Sequence, residues 1–168
     1  MKRNLTILFT AALCALPALA DGMSAETKQY YASVKNNLTR AAEKMSDADY
    51  SFKASPDIRT FGELIAHVAD AQTGFCSTVN GSPKRGTAAG KTSKADLVAA
   101  LKDSFAECDK AYDSLTDANA GEMLKFRNAD RSRIGILTFN LIHDNEEYGY
   151  LAVYMRVKGV VPPSSEKR

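Results

Sequence analysis

The amino-acid sequence predicts an all-α fold, an up-down four-helix bundle. Four segments carry apolar residues at every third or fourth position, capping residues border these segments, and none shows the alternation of a strand. The connections between them are short enough for the neighbouring helices of a bundle. The chain has 168 residues, of which 45% are hydrophobic and 25% charged, a composition typical of one soluble globular domain.

The first helix is expected over about residues 24–45. Ser24 can cap it, and Glu26 lies in the first turn, where the helix dipole favours an anion. Its apolar face comprises Tyr31, Val34, Leu38, Ala42 and Met45.

The second helix is predicted to begin at a capping box, Thr60 to Glu63, in which each side chain accepts the backbone N–H of the other residue. It ends near Asn80-Gly81, and its apolar residues include Phe61, Leu64, Val68 and Phe75. The Gly-, Ser-, Thr- and Lys-rich residues 81–92 then predict a mobile loop. Residues 86–92 resemble a phosphate-binding P-loop, but they lack its glycine spacing and its preceding strand.

The third helix is predicted to begin at Ser93 and Asp96, and it has the most regular apolar face of the four: Leu97, Leu101, Phe105, Cys108, Tyr112 and Leu115. A linker without strands leads to the fourth helix, expected from about Ser132 to Val157. Gly159 is placed to cap its C-terminus, and Pro162-Pro163 prevents its continuation.

The first 20 residues have the layout of a secretory signal peptide, because Lys2 and Arg3 precede an apolar stretch that ends in a small-x-small sequence at Ala20. The alternative is a transmembrane anchor, which needs about 20 apolar residues; this stretch is shorter and contains Pro17. We therefore expect a mature domain of residues 21–168 that is periplasmic or secreted, with no membrane attachment after cleavage. Without Lys2 and Arg3 the chain has 20 basic and 20 acidic side chains, a balance that does not favour a nucleic-acid partner.

Export changes the interpretation of the cysteines. Cys14 lies in the signal peptide, which leaves Cys76 and Cys108 in an oxidising compartment. We expect a disulfide between them, provided that the fold brings the two residues together. The alternative is a pair of buried thiols on separate helices.

The mature part contains two histidines, and both lie on apolar helix faces. His67 follows Leu64 by one turn, and His143 precedes Glu147 by four residues, so that His143 and Glu147 project from one face of the fourth helix. Two ligands at this spacing, with a third from a neighbouring helix, can form a metal site in a bundle. The alternative is that His67 is a hydrogen-bonded core histidine and Glu147 a solvated or ion-paired side chain.

Two stretches resemble the DinB-like (DinB/YfiT) superfamily. Residues 55–71, with the run Thr60-Phe-Gly-Glu-Leu-Ile-Ala-His67, resemble its first histidine motif, and residues 143–165 resemble its C-terminal motif. The likeness covers essentially the whole mature chain. It implies a four-helix bundle that can form a homodimer and that holds a divalent metal, zinc or nickel, through three histidines.

The resemblance maps two of these ligands onto His67 and His143, whereas the third falls on Glu147. A His-His-Glu set has the ligand types of some catalytic zinc sites, and its carboxylate favours a harder metal or weaker binding. The same departure leaves open that the metal has been lost. Asp70 and Asn140, each one turn from a histidine, are candidate partners of the ligands; the alternative is that each is a polar residue of the helix surface.

Characterised relatives include thiol-dependent transferases and isomerases, and several other members are only described as metal-dependent hydrolases. Cytosolic thiol cofactors do not suit an exported protein, so hydrolysis of a small-molecule substrate or plain metal binding is preferred to thiol transfer. Two alternatives stay open: a non-catalytic bundle that has lost the metal site, and a haem-binding bundle with a histidine or Met45 as axial ligand.

Overall fold

The computed structural model describes residues 22–167, so the predicted signal peptide and Cys14 lie outside the described residues. Within them the chain forms the helices α1 (Gly22–Lys44), α2 (Phe61–Val79), α3 (Lys94–Asp113) and α4 (Arg133–Val157). The strands β1 (Met123–Phe126) and β2 (Ala129–Ser132) form an antiparallel hairpin, and 3-10 helices lie at Asp47–Ser51 and Pro163–Ser165. The predicted all-α, four-helix fold is confirmed.

The sequence signals at the helix ends are confirmed for α2, α3 and α4. Thr60 Oγ1 accepts the Glu63 N–H at 3.0 Å, and Glu63 Oε2 accepts the Thr60 N–H at 2.7 Å, so the capping box is complete. Ser93 and Ser132 cap α3 and α4 through their side-chain oxygens. After α4, Gly159 has a φ of +73°, the left-handed conformation that ends many helices.

The predicted capping role of Ser24 is wrong, because Ser24 lies inside α1, which already includes Gly22, the first described residue. The Ser24 backbone N–H donates to Asp117 Oδ1 at 2.8 Å. This carboxylate, in the connection after α3, supplies the acceptor that we had assigned to the Ser24 side chain. Because Asp117 is 93 positions away, the local sequence does not reveal it.

The helices are not arranged in sequence order around the bundle, since α1 and α2 each pack against both α3 and α4. Their apolar faces meet in one core, whose largest fully buried side chains include Leu38, Phe61, Ile65, Leu101, Phe105, Tyr112, Ile136 and Leu151. The contact between α2 and α4 places the histidine of one helix beside that of the other. Among residues 22–167, no helix has the length and hydropathy that a membrane crossing requires.

The β1–β2 hairpin was not predicted; the sequence indicated a linker without strands here. Phe126 is its buried residue, and its ring stacks on Phe75 of α2 with a centroid distance of 5.1 Å. Arg127 turns the hairpin with a φ of 55°. Hairpin turns of this kind usually contain glycine, so the usual sequence signal is missing.

The predicted disulfide is confirmed: Cys76 of α2 and Cys108 of α3 are bonded, with a Cα–Cα distance of 4.9 Å. The loop after α2 differs from the mobile loop that we expected, because it is hydrogen-bonded to that helix. The backbone N–H groups of Ala88 and Ala89 donate to the Asp70 carboxylate at 2.7 and 2.9 Å. The loop therefore lies against α2, near His67.

Candidate metal centre

The structure brings together the three side chains that the sequence proposed as metal ligands. His67 Nε2 lies 3.1 Å from His143 Nε2 and 3.5 Å from Glu147 Oε1, and His143 Nε2 lies 3.9 Å from the same oxygen. Two helices build this cluster, because α2 supplies His67 and successive turns of α4 supply His143 and Glu147. Within the described chain it is the one cluster of His, Cys, Asp and Glu side chains whose spacing suits a metal ion.

The cluster lies where the core meets the solvent. The side chain of Glu147 is 8% exposed, that of His143 17% and that of His67 34%. One side of the group is therefore closed by the bundle, while His67 faces outward. A bound ion would be held from inside and approached from the His67 side.

The electrostatics of the cluster favour a cation. Glu147 Oε2 is buried and has no hydrogen-bond partner among the described residues. Burial raises the pKa of the Glu147 carboxyl and lowers the pKa of His67, with a smaller contribution from the charge of Arg59. A neutral imidazole and an unpartnered carboxylate oxygen are both lone-pair donors, so the groups present fit a metal ion.

The distances within the cluster are consistent with this fit. Zinc bonds to nitrogen and oxygen are about 2.0–2.2 Å long, so two ligand atoms in a tetrahedral site lie about 3.3 Å apart. The three observed separations run from 3.1 to 3.9 Å. Small side-chain movements would therefore bring all three atoms within bonding distance of one ion.

A buried carboxylate lies behind His143. Asp144 Oδ1 is 3.4 Å from His143 Nδ1, on the side of the ring away from the cluster. Its other oxygen accepts hydrogen bonds from Gln72 Nε2 at 2.8 Å and from Asn140 Nδ2 at 2.9 Å. A carboxylate in this position favours the tautomer with a proton on Nδ1, which leaves Nε2 free to bind a metal.

This polar network continues into the core. Ser104 of α3 donates to Gln72 Oε1 at 2.7 Å, and the Asn140 amide also donates to the Tyr112 hydroxyl at 3.3 Å. Gln72, Ser104, Asn140 and Asp144 are all buried. Three helices therefore fix the orientation of Asp144 and, through it, the ring of His143.

The two predicted partners of the ligands have different surroundings. Asn140 reaches His143 only through Asp144. Asp70 accepts hydrogen bonds from the loop after α2 and has none with either imidazole. We did not identify Asp144 or Gln72 from the sequence, although both occupy apolar-face positions, where a polar residue needs a partner.

A cleft of about 980 Å³ opens beside the cluster, with His67 and Glu147 in its wall. The rest of the wall comes from the segment before α2, the loop after α2, and α4, and includes Arg59, Lys91, Tyr150 and Tyr154. His67 and Glu147 are therefore accessible to a molecule larger than water.

Residues 30–151 match the sequence model of the DinB superfamily. The chain belongs to the DinB superfamily. A comparison with curated protein sequences gives no match.

Solved structures agree with this DinB-like fold. A DinB-like protein from Bacillus cereus ATCC 10987 superposes with a TM-score of 0.71 at 18% identity, covering 82% of this chain and 93% of that one. A DinB-like protein from Bacillus subtilis, YjoA, gives a TM-score of 0.65 at 21% identity and covers 80% and 92% of the two chains. A conserved protein from Enterococcus faecalis gives 0.66 at 15% identity, covering 82% and 98%. At these identities the likeness concerns the fold.

Proposed function

We propose that this protein is an exported DinB-like metalloprotein that hydrolyses a small molecule at a divalent cation, zinc or nickel, held by His67, His143 and Glu147. The observation that carries the proposal is the convergence of two imidazole nitrogens and a buried carboxylate whose second oxygen has no partner among the described residues. An unpaired buried charge is costly, and a divalent ion would compensate it directly.

The ligand set suits catalysis as well as binding. Two histidines and one glutamate are found in catalytic zinc sites, where the remaining position is open. When bound, such an ion supplies Lewis acidity and lowers the pKa of water to near 7. The cleft beside His67 supplies room for a substrate, and Asp144, next to Nδ1 of His143, would leave Nε2 of that ring available to hold the ion.

Export rests on the sequence and on the cysteines. The first 20 residues read as a signal peptide, and the Cys76–Cys108 disulfide fits an oxidising compartment such as the periplasm or the extracellular space. Cytosolic thiol cofactors do not suit such a compartment, which is why we prefer hydrolysis to thiol transfer.

Metal analysis by inductively coupled plasma mass spectrometry, on protein purified from its own host, tests the site. We expect about one divalent ion per chain and, in zinc titration calorimetry, loss of binding in His143→Ala. Asn145→Ala, an exposed change on the same helix, is the matched control and should bind as the unmodified protein does. A metal-free protein that folds normally and takes up no zinc, nickel or manganese would exclude the proposal.

A non-catalytic bundle is the second candidate, favoured by one observation. His67 Nε2 and His143 Nε2 are 3.1 Å apart, so the two rings can hydrogen-bond to each other without any ion. On this hypothesis Glu147→His creates tight zinc binding in a protein that had none. Equal zinc affinity of the unmodified protein and the variant would contradict it.

A further inference from the structure

Arg59 lies at the edge of the cleft beside the metal centre. It directly precedes the capping residue Thr60, and its backbone carbonyl accepts the Tyr154 hydroxyl at 2.5 Å, so its main chain is tied to both α2 and α4. The side chain is exposed and lines the cleft together with His67 and Glu147. Its position is therefore fixed at the backbone, while its guanidinium is free to meet a ligand.

The Arg59 side chain shares the wall of the cleft with two residues of the cluster, His67 and Glu147. Among the described residues, no carboxylate lies within ion-pair distance of Arg59. The cleft therefore presents an unpaired arginine next to the centre.

Two of the carboxylates in the cleft wall already accept hydrogen bonds from backbone N–H groups. The Glu63 carboxylate accepts the Thr60 N–H in the capping box, and the Asp70 carboxylate accepts two N–H groups of the loop. Lys53 and Lys91 add two cations to the same wall, and Asp57 adds one acid. Once a divalent ion joins Glu147, the charges around the cleft sum to a small positive value. The charged side chains of the cleft wall that remain available to a ligand are therefore mainly cations that donate hydrogen bonds.

We propose that Arg59 binds the anionic group, a carboxylate or a phosphate, of a small substrate whose reacting bond lies at the metal centre. A guanidinium can donate two parallel hydrogen bonds to either group. Ile58, Leu64 and Tyr150 supply apolar surface in the same cleft, which suits a substrate with an apolar body. The inference rests on the proposed function and names its substrate class.

Titration calorimetry on the zinc-loaded protein tests the inference with benzoate, phenyl phosphate and neutral benzyl alcohol. We expect Arg59→Ala to weaken binding of an anion about tenfold, the usual size of one charge-assisted contact, and Arg59→Lys to retain part of it. Benzyl alcohol should be unaffected. A loss with benzoate alone assigns a carboxylate, and a loss with phenyl phosphate alone assigns a phosphate.

Arg131→Ala is the matched control, because Arg131 is also exposed but lies on β2, outside the cleft. Each variant is first titrated with zinc, so that metal affinity and anion affinity are separated. Intact zinc binding with equal anion affinity in Arg59→Ala and Arg131→Ala would overturn the role of Arg59 and leave the metal site standing. The role of Arg59 would also be overturned, with the metal site left standing, if the zinc-loaded unmodified protein bound neither benzoate nor phenyl phosphate. Failure of the unmodified protein to bind zinc would remove the proposed function, and this inference with it.

Discussion

Replacing Glu147 by glutamine should have opposite effects on stability in the absence and in the presence of zinc. The side chain is 8% exposed, and its Oε2 has no hydrogen-bond partner in the described part of the chain. Without a metal, glutamine removes a buried charge from the cluster. With zinc, the same change removes the only anionic ligand of the proposed set.

The size of each effect follows from general values. An unpaired buried polar group costs about 1–3 kcal/mol, and glutamine removes part of that cost, so Glu147→Gln should stabilise the metal-free protein by about 1 kcal/mol. At zinc a hundredfold above its Kd, the unmodified protein gains about 2.7 kcal/mol. Loss of a residue that only supports a metal ligand weakens metal binding about 10–100-fold, and loss of a ligand itself should weaken it by at least the upper value. If the Kd of the variant is about a hundredfold higher, the same zinc concentration stabilises the variant by only about 0.4 kcal/mol. The order of stability therefore reverses, with the unmodified protein ahead by about 1 kcal/mol.

Urea unfolding followed by circular dichroism at neutral pH measures both effects, once with a chelator and once with zinc. Glu26→Gln is the control, since Glu26 is exposed on α1 and the same chemical change there should alter the free energy of unfolding by the same amount with chelator and with zinc. The reasoning would be refuted if Glu147→Gln were less stable than the unmodified protein in chelator. It would also be refuted if zinc raised the free energy of unfolding of the variant as much as that of the unmodified protein.

Three further predictions concern the surroundings of the site. Asp144→Asn should weaken zinc binding about 10–100-fold in calorimetry, because it removes the charge behind a ligating imidazole; unchanged affinity would contradict this role. Replacing Cys76 and Cys108 together by alanine should lower the free energy of unfolding by about 3–4 kcal/mol, since the disulfide closes a separation of 32 residues; detection of two free thiols in the denatured mature protein would show that the bond is not formed. The Lys84 ammonium lowers the pKa of the Glu107 carboxyl. The ion pair therefore stabilises the protein at pH values above the usual glutamate pKa, and this stabilisation is lost as the pH falls through the lowered pKa of Glu107. Glu107→Gln should therefore reduce the free energy of unfolding at neutral pH and leave it unchanged at strongly acidic pH, whereas equal losses at both would exclude the ion pair as the cause.

The helices and the cluster of the candidate metal centre could be predicted from the sequence because each depends largely on local spacing. Thr60 and Glu63 form a capping box only at a helix start, and they therefore fixed where α2 begins. The spacing of His143 and Glu147 places them on one face whatever the rest of the chain does. Only the third member, His67, required a tertiary contact, and the scarcity of histidine pointed to it.

Two features that escaped prediction, the N-terminal acceptor of α1 and the hairpin, depend on contacts with residues far away in the chain. The acceptor at the start of α1 is 93 positions away. The hairpin has no glycine in its turn, and Arg127 adopts a positive φ while its guanidinium lies over the rings of Phe126 and Phe75, at 5.1 and 5.7 Å from their centroids. Such contacts exist only in the folded chain, so periodicity and turn chemistry cannot reveal them.

The buried network around Asp144 was missed for a different reason, since its members are visible as polar residues at apolar positions. Gln72 and Ser104 each interrupt an otherwise hydrophobic face, and an isolated helix gives no clue that these two side chains meet. Because buried polar residues need hydrogen-bond partners, the sequence could have indicated that these side chains contact one another, but not which atoms form the hydrogen bonds.

The pattern of satisfied and unsatisfied groups in this network bears on what the site binds. The amide hydrogens of Gln72 and Asn140 reach acceptors, whereas the unsatisfied buried atoms around the site are oxygens, Asn140 Oδ1 and Glu147 Oε2. A buried surplus of acceptors next to two imidazoles disfavours an anion and favours a cation or a proton donor. A core that existed only to fold would gain from replacing these groups by apolar ones of similar shape. The presence of the unpartnered Glu147 oxygen beside an accessible cleft is therefore better explained by a ligand that supplies the missing positive charge, and the zinc dependence of the Glu147→Gln variant distinguishes such a ligand from a bound proton.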